Sequence, residues 1–290
     1  MTSAKIQENI DAKTVRGFGD EWKRFDQTGL TVDELRDIFY QYFKIFPWDV
    51  LPPGAIGFDA GCGSGRWAQF VLPRVGQLHC VDASEEALEV AKRNLKTFGN
   101  CTFHHASVAD MPMAQGSMDF GYSLGVLHHI PDTQAGLMAC SEKLKPGAPF
   151  LLYLYYAFDD RPLWFKLLWR LSDVARQAIC RAPLWLRYGM SQVIAMVVYV
   201  PLARLALLLE HMGGDASGLP LASYRHRSFY TMRTDALDRF GTKLEQRFTA
   251  KQIRSMMERV GFERIQFSDS PPYWCALGYK KSSCVGSQAF

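Results

Sequence analysis

Glycines occupy positions 61, 63 and 65 in the stretch IGFDAGCGSGRW, directly behind a short apolar run that ends in Asp59. Three glycines at alternate positions let the backbone turn sharply and approach a ligand with no Cβ in the way. The G-x-G-x-G spacing differs from the G-x-G-x-x-G of dinucleotide sites, which argues against a nicotinamide oxidoreductase. Two more acids follow. Asp82 closes the next apolar run, QLHCVDA, where a carboxylate can accept both hydroxyls of a ribose, and so indicates an adenosine cofactor with a free 2′-hydroxyl. Asp110, in ASVADMPM, is placed to receive an adenine exocyclic amine, the alternative being a plain surface turn.

Other residues are candidates for the second reactant. His128 and His129 follow SLGVL, and either can serve as a base for an acceptor that must lose a proton; a pair that only packs is the alternative. Tyr224, His226 and Tyr230, with Arg225 and Arg227, make a dense polar cluster in SYRHRSFY suited to positioning an acceptor. Tyr153, Tyr155 and Tyr156 end an apolar run, and strand alternation sends Tyr156 opposite to the other two, leaving at least one in the core. His104 and His105, within a strand, suggest no metal site.

The elements that must hold these residues alternate. AIGFDA, QLHCVDA, CTFHHASV, MDFGYSLGV and FLLYLYY read as five strands. Helices lie between them, from Arg66 to Leu72, after a Ser84 cap with Glu85 and Glu86 in the first turn, and from about Asp132 to Leu144. Such alternation predicts a doubly wound, mostly parallel α/β sheet. VDELRDIFYQYFKIF, before it, has a helical apolar face. TAKQIRSMMERVGF, ERIQFSD and YWCALGYK supply a late helix and two last strands. Between them, PLWFKLLWRLSDVARQAI confines Lys166, Arg170, Asp173 and Gln177 to one narrow polar stripe. VIAMVVYVPLARLALLL, residues 193–209, is apolar except for Arg204. It reads as short for a membrane span, with Pro201 and Arg204 against one. Helices buried on the core or forming a lid are the preferred reading; interfacial membrane contact, with Trp164, Trp169 and Trp185 beside basic residues, is the alternative.

With 290 residues, 48% of them hydrophobic, the chain can bury a sizeable core, without repeats or low-complexity tracts. Seven cysteines, Cys62, Cys80, Cys101, Cys140, Cys180, Cys275 and Cys284, form no CxxC pair and are expected reduced and mostly buried. MTSAKIQENIDAK lacks a secretory signal, so the chain is expected to be cytoplasmic, or peripheral to a membrane. Net charge is +4, and residues 157–233 hold ten Lys or Arg against five Asp or Glu. That segment suits an acidic substrate or a membrane surface, or is simply solvated. No basic, aromatic-lined groove is evident, and no Pro-Pro-aromatic motif follows the fourth strand, since SPPY lies at 270–273. Nucleic acid is therefore not the expected partner.

Taken in order, these motifs resemble class I S-adenosylmethionine-dependent methyltransferases. FDAGCGSG is similar to that family's first motif, Asp82 to its ribose acid and ASVADMP to its adenine loop. DFGYSLGVLHHIPD and EKLKPGAPFLLY are similar to its fourth and fifth strands. The one departure is KPGAP, where a second glycine is usual. The resemblance covers residues 54–156 and resumes over 248–280. It implies a Rossmann-like, seven-stranded sheet with its last strand antiparallel, S-adenosyl-L-methionine as cofactor and S-adenosyl-L-homocysteine as product. Its cofactor-binding set is Trp22, Asp59, Gly61, Cys62, Gly63, Gly65, Asp82, Ala83, Ser84, Val108, Ala109, Asp110, Leu124 and Gly125. GFGDEWKRF resembles a segment that closes over the cofactor through Phe18 and Trp22. The expected organisation is an N-terminal helical cap (1–53), a cofactor-binding core (54–156), and a helical insertion after the fifth strand that forms a lid or acceptor pocket (157–245). A closing helix with two strands (246–280) and a tail (281–290) follow. The expected reaction is in-line methyl transfer to oxygen or nitrogen of a small or amphipathic molecule. The alternative is a non-catalytic cofactor-binding protein whose insertion meets a partner or membrane.

Overall fold

Two helices, α1 (Ala12–Arg24) and α2 (Val32–Tyr42), precede the sheet. Asp11 caps the first by accepting from Thr14 N–H, and Thr31 caps the second by accepting from Glu34 N–H. The apolar face of α2 continues past its end, so that Phe39, Phe43 and Phe46 are buried together against the sheet. The computed structural model describes residues 9–159 and 161–282. The opening residues 1–8, the tail from 283 and Cys284 lie outside them.

The alternating segment then unfolds in chain order as β1 (Ile56–Ala60), α3 (Ala68–Val71), β2 (Gln77–Asp82), α4 (Glu85–Asn94), β3 (Cys101–His105), β4 (Phe120–Leu124), α5 (Thr133–Lys143) and β5 (Pro149–Tyr153). Ser84 and Asp132 cap α4 and α5 by accepting from Ala87 N–H and Ala135 N–H. The helix expected from Arg66 to Leu72 is shorter. It spans α3 alone and passes into a 3-10 turn, Leu72–Arg74, where Pro73 has no N–H to continue it.

Four helices form the insertion: α6 (Leu163–Ile179), α7 (Leu184–Ile194), α8 (Val200–His211) and α9 (Phe229–Gly241). The chain returns to the core through α10 (Ala250–Arg259), β6 (Phe262–Phe267) and β7 (Cys275–Lys280). Thr249 opens α10 with a reciprocal capping box to Gln252. All seven strands lie in one sheet of order β3-β2-β1-β4-β5-β7-β6. The first five are parallel, and β7 inserts antiparallel beside β5 with Leu151 opposite Leu277. Apolar clusters cover both faces, one built on Phe58, Phe150 and Phe262, the other on Phe39, Leu78, Phe120 and Tyr122. This is the doubly wound, Rossmann-like arrangement expected, with the helical insertion after the fifth strand.

One expectation in the insertion needs correction. The apolar run at 193–209, expected to be short for a membrane span, lies within a longer helix. A π-helical turn, Ala195–Tyr199, joins α7 to α8 without a break, giving 28 helical residues from Leu184 to His211, long and apolar enough by length and composition to cross a membrane. Pro201 follows directly on the π-helical turn, where the regular i→i−4 ladder that proline cannot join is already interrupted. Along one side of this run Ser191, Ala195, Tyr199, Ala203 and Ala206 are buried, and α9 packs beneath α7 and the π-turn.

Candidate active site

Strand order reverses between β1 and β4, so their carboxyl ends splay and leave a crevice. A cavity of about 1030 Å³ occupies it and extends under the insertion. Pockets for one drug-sized ligand measure roughly 300–1,000 Å³, so this cavity is at the large end of that range.

The floor at one end is the glycine loop. Gly61 and Gly63 adopt positive φ, and a Cβ on Gly63 would come within 3.0 Å of the Trp22 indole, which lies over the loop from α1. Gly65 shares the positive φ, and a Cβ there would come within 2.8 Å of Leu95 just past α4. Asp82 reaches the cavity from the end of β2. One of its oxygens accepts from Gly63 N–H and the other from Ser84 N–H, both at 2.8 Å. The carboxylate thereby ties the loop to the α4 cap and has remaining lone pairs for a ligand. Burial raises the Asp82 pKa even against those two donors. Behind the loop, Asp59 is wholly buried and neither of its oxygens has a hydrogen-bond partner. Burial is the main cause of its pKa rising to about 8, opposed by the nearby Tyr122 hydroxyl and reinforced by Asp82. Arg66, stacked over Trp22 and Trp67, supplies a cation to the same wall.

The structure brings together many of the residues expected to hold the cofactor. Trp22, Gly61, Cys62, Gly63, Asp82, Ala83, Ser84, Val108, Leu124 and Gly125 all line the cavity, as does Phe18. Asp59, Gly65, Ala109 and Asp110 do not. In the 3-10 turn Val108–Asp110 the buried residue is Val108, and Asp110 stands exposed beside the cavity wall that Val108 lines. A bare loop, an acid with free lone pairs at the second strand and a guanidinium beside the loop fit S-adenosylmethionine, whose ribose and α-carboxylate need such partners.

The far end is built by the insertion. Asp235 and Asp238, one helical turn apart on α9, line the cavity with Glu21 of α1. Asp235 accepts from the Tyr224 hydroxyl at 2.8 Å, and burial lifts its pKa to about 6. Burial, then repulsion from Asp238 and Asp235, holds the Glu21 carboxyl well above the usual carboxylate range. Asp238, 23% exposed, accepts from the Tyr155 hydroxyl and lies 3.9 Å from His129 Nε2. Burial and the neighbouring Asp238 carboxylate push the Tyr155 hydroxyl well up. Arg239 and Arg247, which share the buried Glu245, close the wall over Trp169.

Several expectations separate here. His129 lines the cavity and its Nδ1 lies 2.7 Å from the Leu244 carbonyl. Nδ1 must therefore carry the proton of the neutral ring, leaving an Nε2 lone pair toward Asp238. His128 is buried away from the cavity with both ring nitrogens unpartnered, and burial first, then His129, lowers its pKa well below the usual imidazole range; it is a neutral packing residue. Of the SYRHRSFY cluster, Tyr224, Arg225 and Arg227 line the cavity. His226 does not: it is turned outward, 61% exposed, and meets Glu210 at 2.8 Å. Nor does Tyr230, whose hydroxyl accepts from Gln27 N–H while its ring packs edge-on to Phe25. Tyr153, Tyr155 and Tyr156 all line the cavity, because β5 ends at Tyr153 and strand alternation no longer applies beyond it. Glu21, Arg66, Asp235, Asp238, Arg239 and Arg247 escaped the sequence reading. The Asp235–Asp238 spacing on one helix face was the available signal.

The fold and this crevice define a class I methyltransferase scaffold. Residues 58–147 match the family profile described as "Methyltransferase domain". The chain is 32% identical over 189 residues to the ubiquinone biosynthesis O-methyltransferase of Xanthomonas axonopodis pv. citri (strain 306), covering 63% of this chain and 74% of that one. The protein of the same name from Xanthomonas campestris pv. campestris (strain B100) is 32% identical over 102 residues, 34% of this chain and 43% of the relative. The match therefore spans less than half of that relative's length. A chain of the complex between the Haloferax volcanii Trm112 methyltransferase activator and a methyltransferase superposes with TM-score 0.53 at 14% identity, covering 92% of this chain and 98% of that one. That similarity bears on the fold alone. The chain belongs to the class I S-adenosylmethionine-dependent methyltransferases.

Proposed function

We propose that the chain transfers a methyl group from S-adenosylmethionine to a hydroxyl or amine of a small, amphipathic acceptor. The observation that carries this reading is the single cavity running from the bare glycine loop and Asp82 to the Tyr224, Asp235 and Asp238 wall. When bound, the cofactor supplies an electrophilic methyl on a sulfonium. The glycine-loop backbone, Asp82 and Arg66 hold it, and Trp22 with Phe18 cover it and exclude water. On the acceptor side Asp238 takes the proton, since its carboxylate is accessible from the cavity and is backed by the Tyr155 hydroxyl. Tyr153, Tyr224 and Trp169 bound the space in which the acceptor is aligned for in-line attack. The relatives named as O-methyltransferases favour oxygen over nitrogen as the acceptor atom.

Calorimetric titration of the full chain with S-adenosylmethionine and with NADH tests the cofactor. Saturable binding of the sulfonium alone is expected, and binding of the dinucleotide alone would overturn the reading. A panel of amphipathic phenols and amines, assayed for S-adenosylhomocysteine release, then tests the reaction. Cofactor binding without release on any acceptor would favour a non-catalytic binding protein.

A further inference from the structure

Among the described residues, twenty-two large apolar side chains are exposed, and sixteen of them lie between positions 163 and 212. They are therefore one patch rather than the scattered apolar residues of an ordinary surface. On α6, Leu163, Leu167, Leu171 and Val174 recur at helical spacing, each more than half exposed. Along the continuous α7–α8 run, Trp185, Val193, Val197, Leu208 and Met212 do the same, opposite the side packed on α9. Both helices rest on α9, so the two stripes neighbour one another.

Charge on these helices says what covers the patch. Lys166, Arg170, Arg181 and Arg204 are partly or fully exposed. Lys166, Arg181 and Arg204 donate only to backbone carbonyls, and none of the four pairs with a carboxylate among the described residues. The acids on the same helices are already engaged, Asp173 by Arg176 and Arg239, Glu210 by Arg225 and His226. A second copy laid on this face would oppose cation to cation. An anionic lipid surface would not, and it takes apolar side chains below the headgroups with Lys and Arg at their level. Leu168 and Val198, about half exposed on the patch, also line the cavity, so the cavity opens where the patch is. The α7–α8 run does not span: its buried side is packed on α9 along α7 and the π-turn, and through Ala206 on Ala216 and Ala222 beyond it, and crossing a bilayer would strip that packing away.

We propose that the exposed faces of α6 and α7–α8 dock the protein on an anionic bilayer surface, and that the acceptor enters the cavity from that lipid. In naming the acceptor's source the inference rests on the methyltransferase reading; docking itself does not. The test is flotation of the full chain with phosphatidylcholine vesicles and with phosphatidylcholine–phosphatidylglycerol vesicles, which needs no turnover and so fails separately from that reading. Flotation with the anionic vesicles is expected, weakened by salt. It should fall about tenfold or more in L171E/W185E and in R170E/R181E, with the calorimetric affinity for S-adenosylmethionine unchanged in both as evidence that the fold is kept. Absence of flotation on either vesicle, or equal flotation of the variants, would overturn the proposal. So would sedimentation showing a dimer that L171E/W185E converts to monomer, or resistance to alkaline extraction from membranes.

Discussion

Replacing Asp59 with asparagine removes one ionisable group and almost nothing else, because the carboxylate is fully buried, has no hydrogen-bond partner and is matched in shape by the amide. Its pKa in the folded chain is about 8, against about 3.9 for an aspartate in an unfolded chain. The folded state therefore holds one more proton than the unfolded state between those two values. Stability from this group is fully present below about pH 4 and is lost as pH rises through 8, with a slope of about 1.4 kcal/mol per pH unit. From pH 5 to pH 8 the wild type should lose roughly 3 to 4 kcal/mol that the Asp59→Asn variant keeps. At about 2 to 4 °C per kcal/mol for a chain of this size class, that is on the order of 10 °C in Tm. Thermal unfolding of both proteins without cofactor, followed by circular dichroism at each pH, isolates this group, since the shifts of Glu21 and Asp235 are common to both. Parallel Tm curves from pH 5 to pH 8 would refute the reasoning and mean that Asp59 is ionised throughout the range.

Three other outcomes are expected. Asp82→Ala should weaken S-adenosylmethionine binding by one to two orders of magnitude, roughly 1.5 to 3 kcal/mol, and lower the Tm of the free protein by leaving Gly63 and Ser84 N–H groups unpaired; unchanged calorimetric affinity would place the ribose elsewhere. Asp238→Asn should lower kcat by about 10²- to 10⁴-fold while cofactor affinity holds; a retained kcat would remove Asp238 as the proton acceptor. His226→Ala and Tyr230→Phe should leave kcat and KM within about twofold of wild type, since neither side chain lines the cavity, and a large KM increase in either would mean that the acceptor reaches beyond the cavity.

What the sequence disclosed follows from how local each feature is. The glycine loop, the Asp82 tie and the Ser84 cap are set by backbone conformation and hydrogen bonds within about twenty residues, and the order of strands carries them to the crevice. The acceptor end depends on long-range closure. Tyr155 meets Asp238 across 83 positions and His129 meets Leu244 across 115, pairings that no spacing rule reaches. SYRHRSFY divides for a local reason that composition does not carry. Leu221 takes positive φ and starts a 3-10 turn, which leaves Tyr224 inside on Asp235 while His226, two residues on, points to Glu210. Tyr230, the second residue of α9, faces the N-terminal segment instead.

Helix α9 joins the two surfaces of the insertion. Its Met232, Ala236 and Phe240 share one buried cluster with Ala195, Tyr199 and Ala203 of the apolar helical run, while Asp235 and Asp238 line the cavity. Residues 235, 236 and 238 lie within a single helical turn, so the far wall of the cavity and the support of the exposed apolar run are one rigid element. Close-packed interiors transmit displacement rather than absorb it. A helix run docked as proposed is thus held in register with Asp238, the carboxylate proposed to take the acceptor's proton, and Ala195, Ala203 and Ala236, wholly buried in that contact, are the positions where added side-chain bulk would disturb both at once.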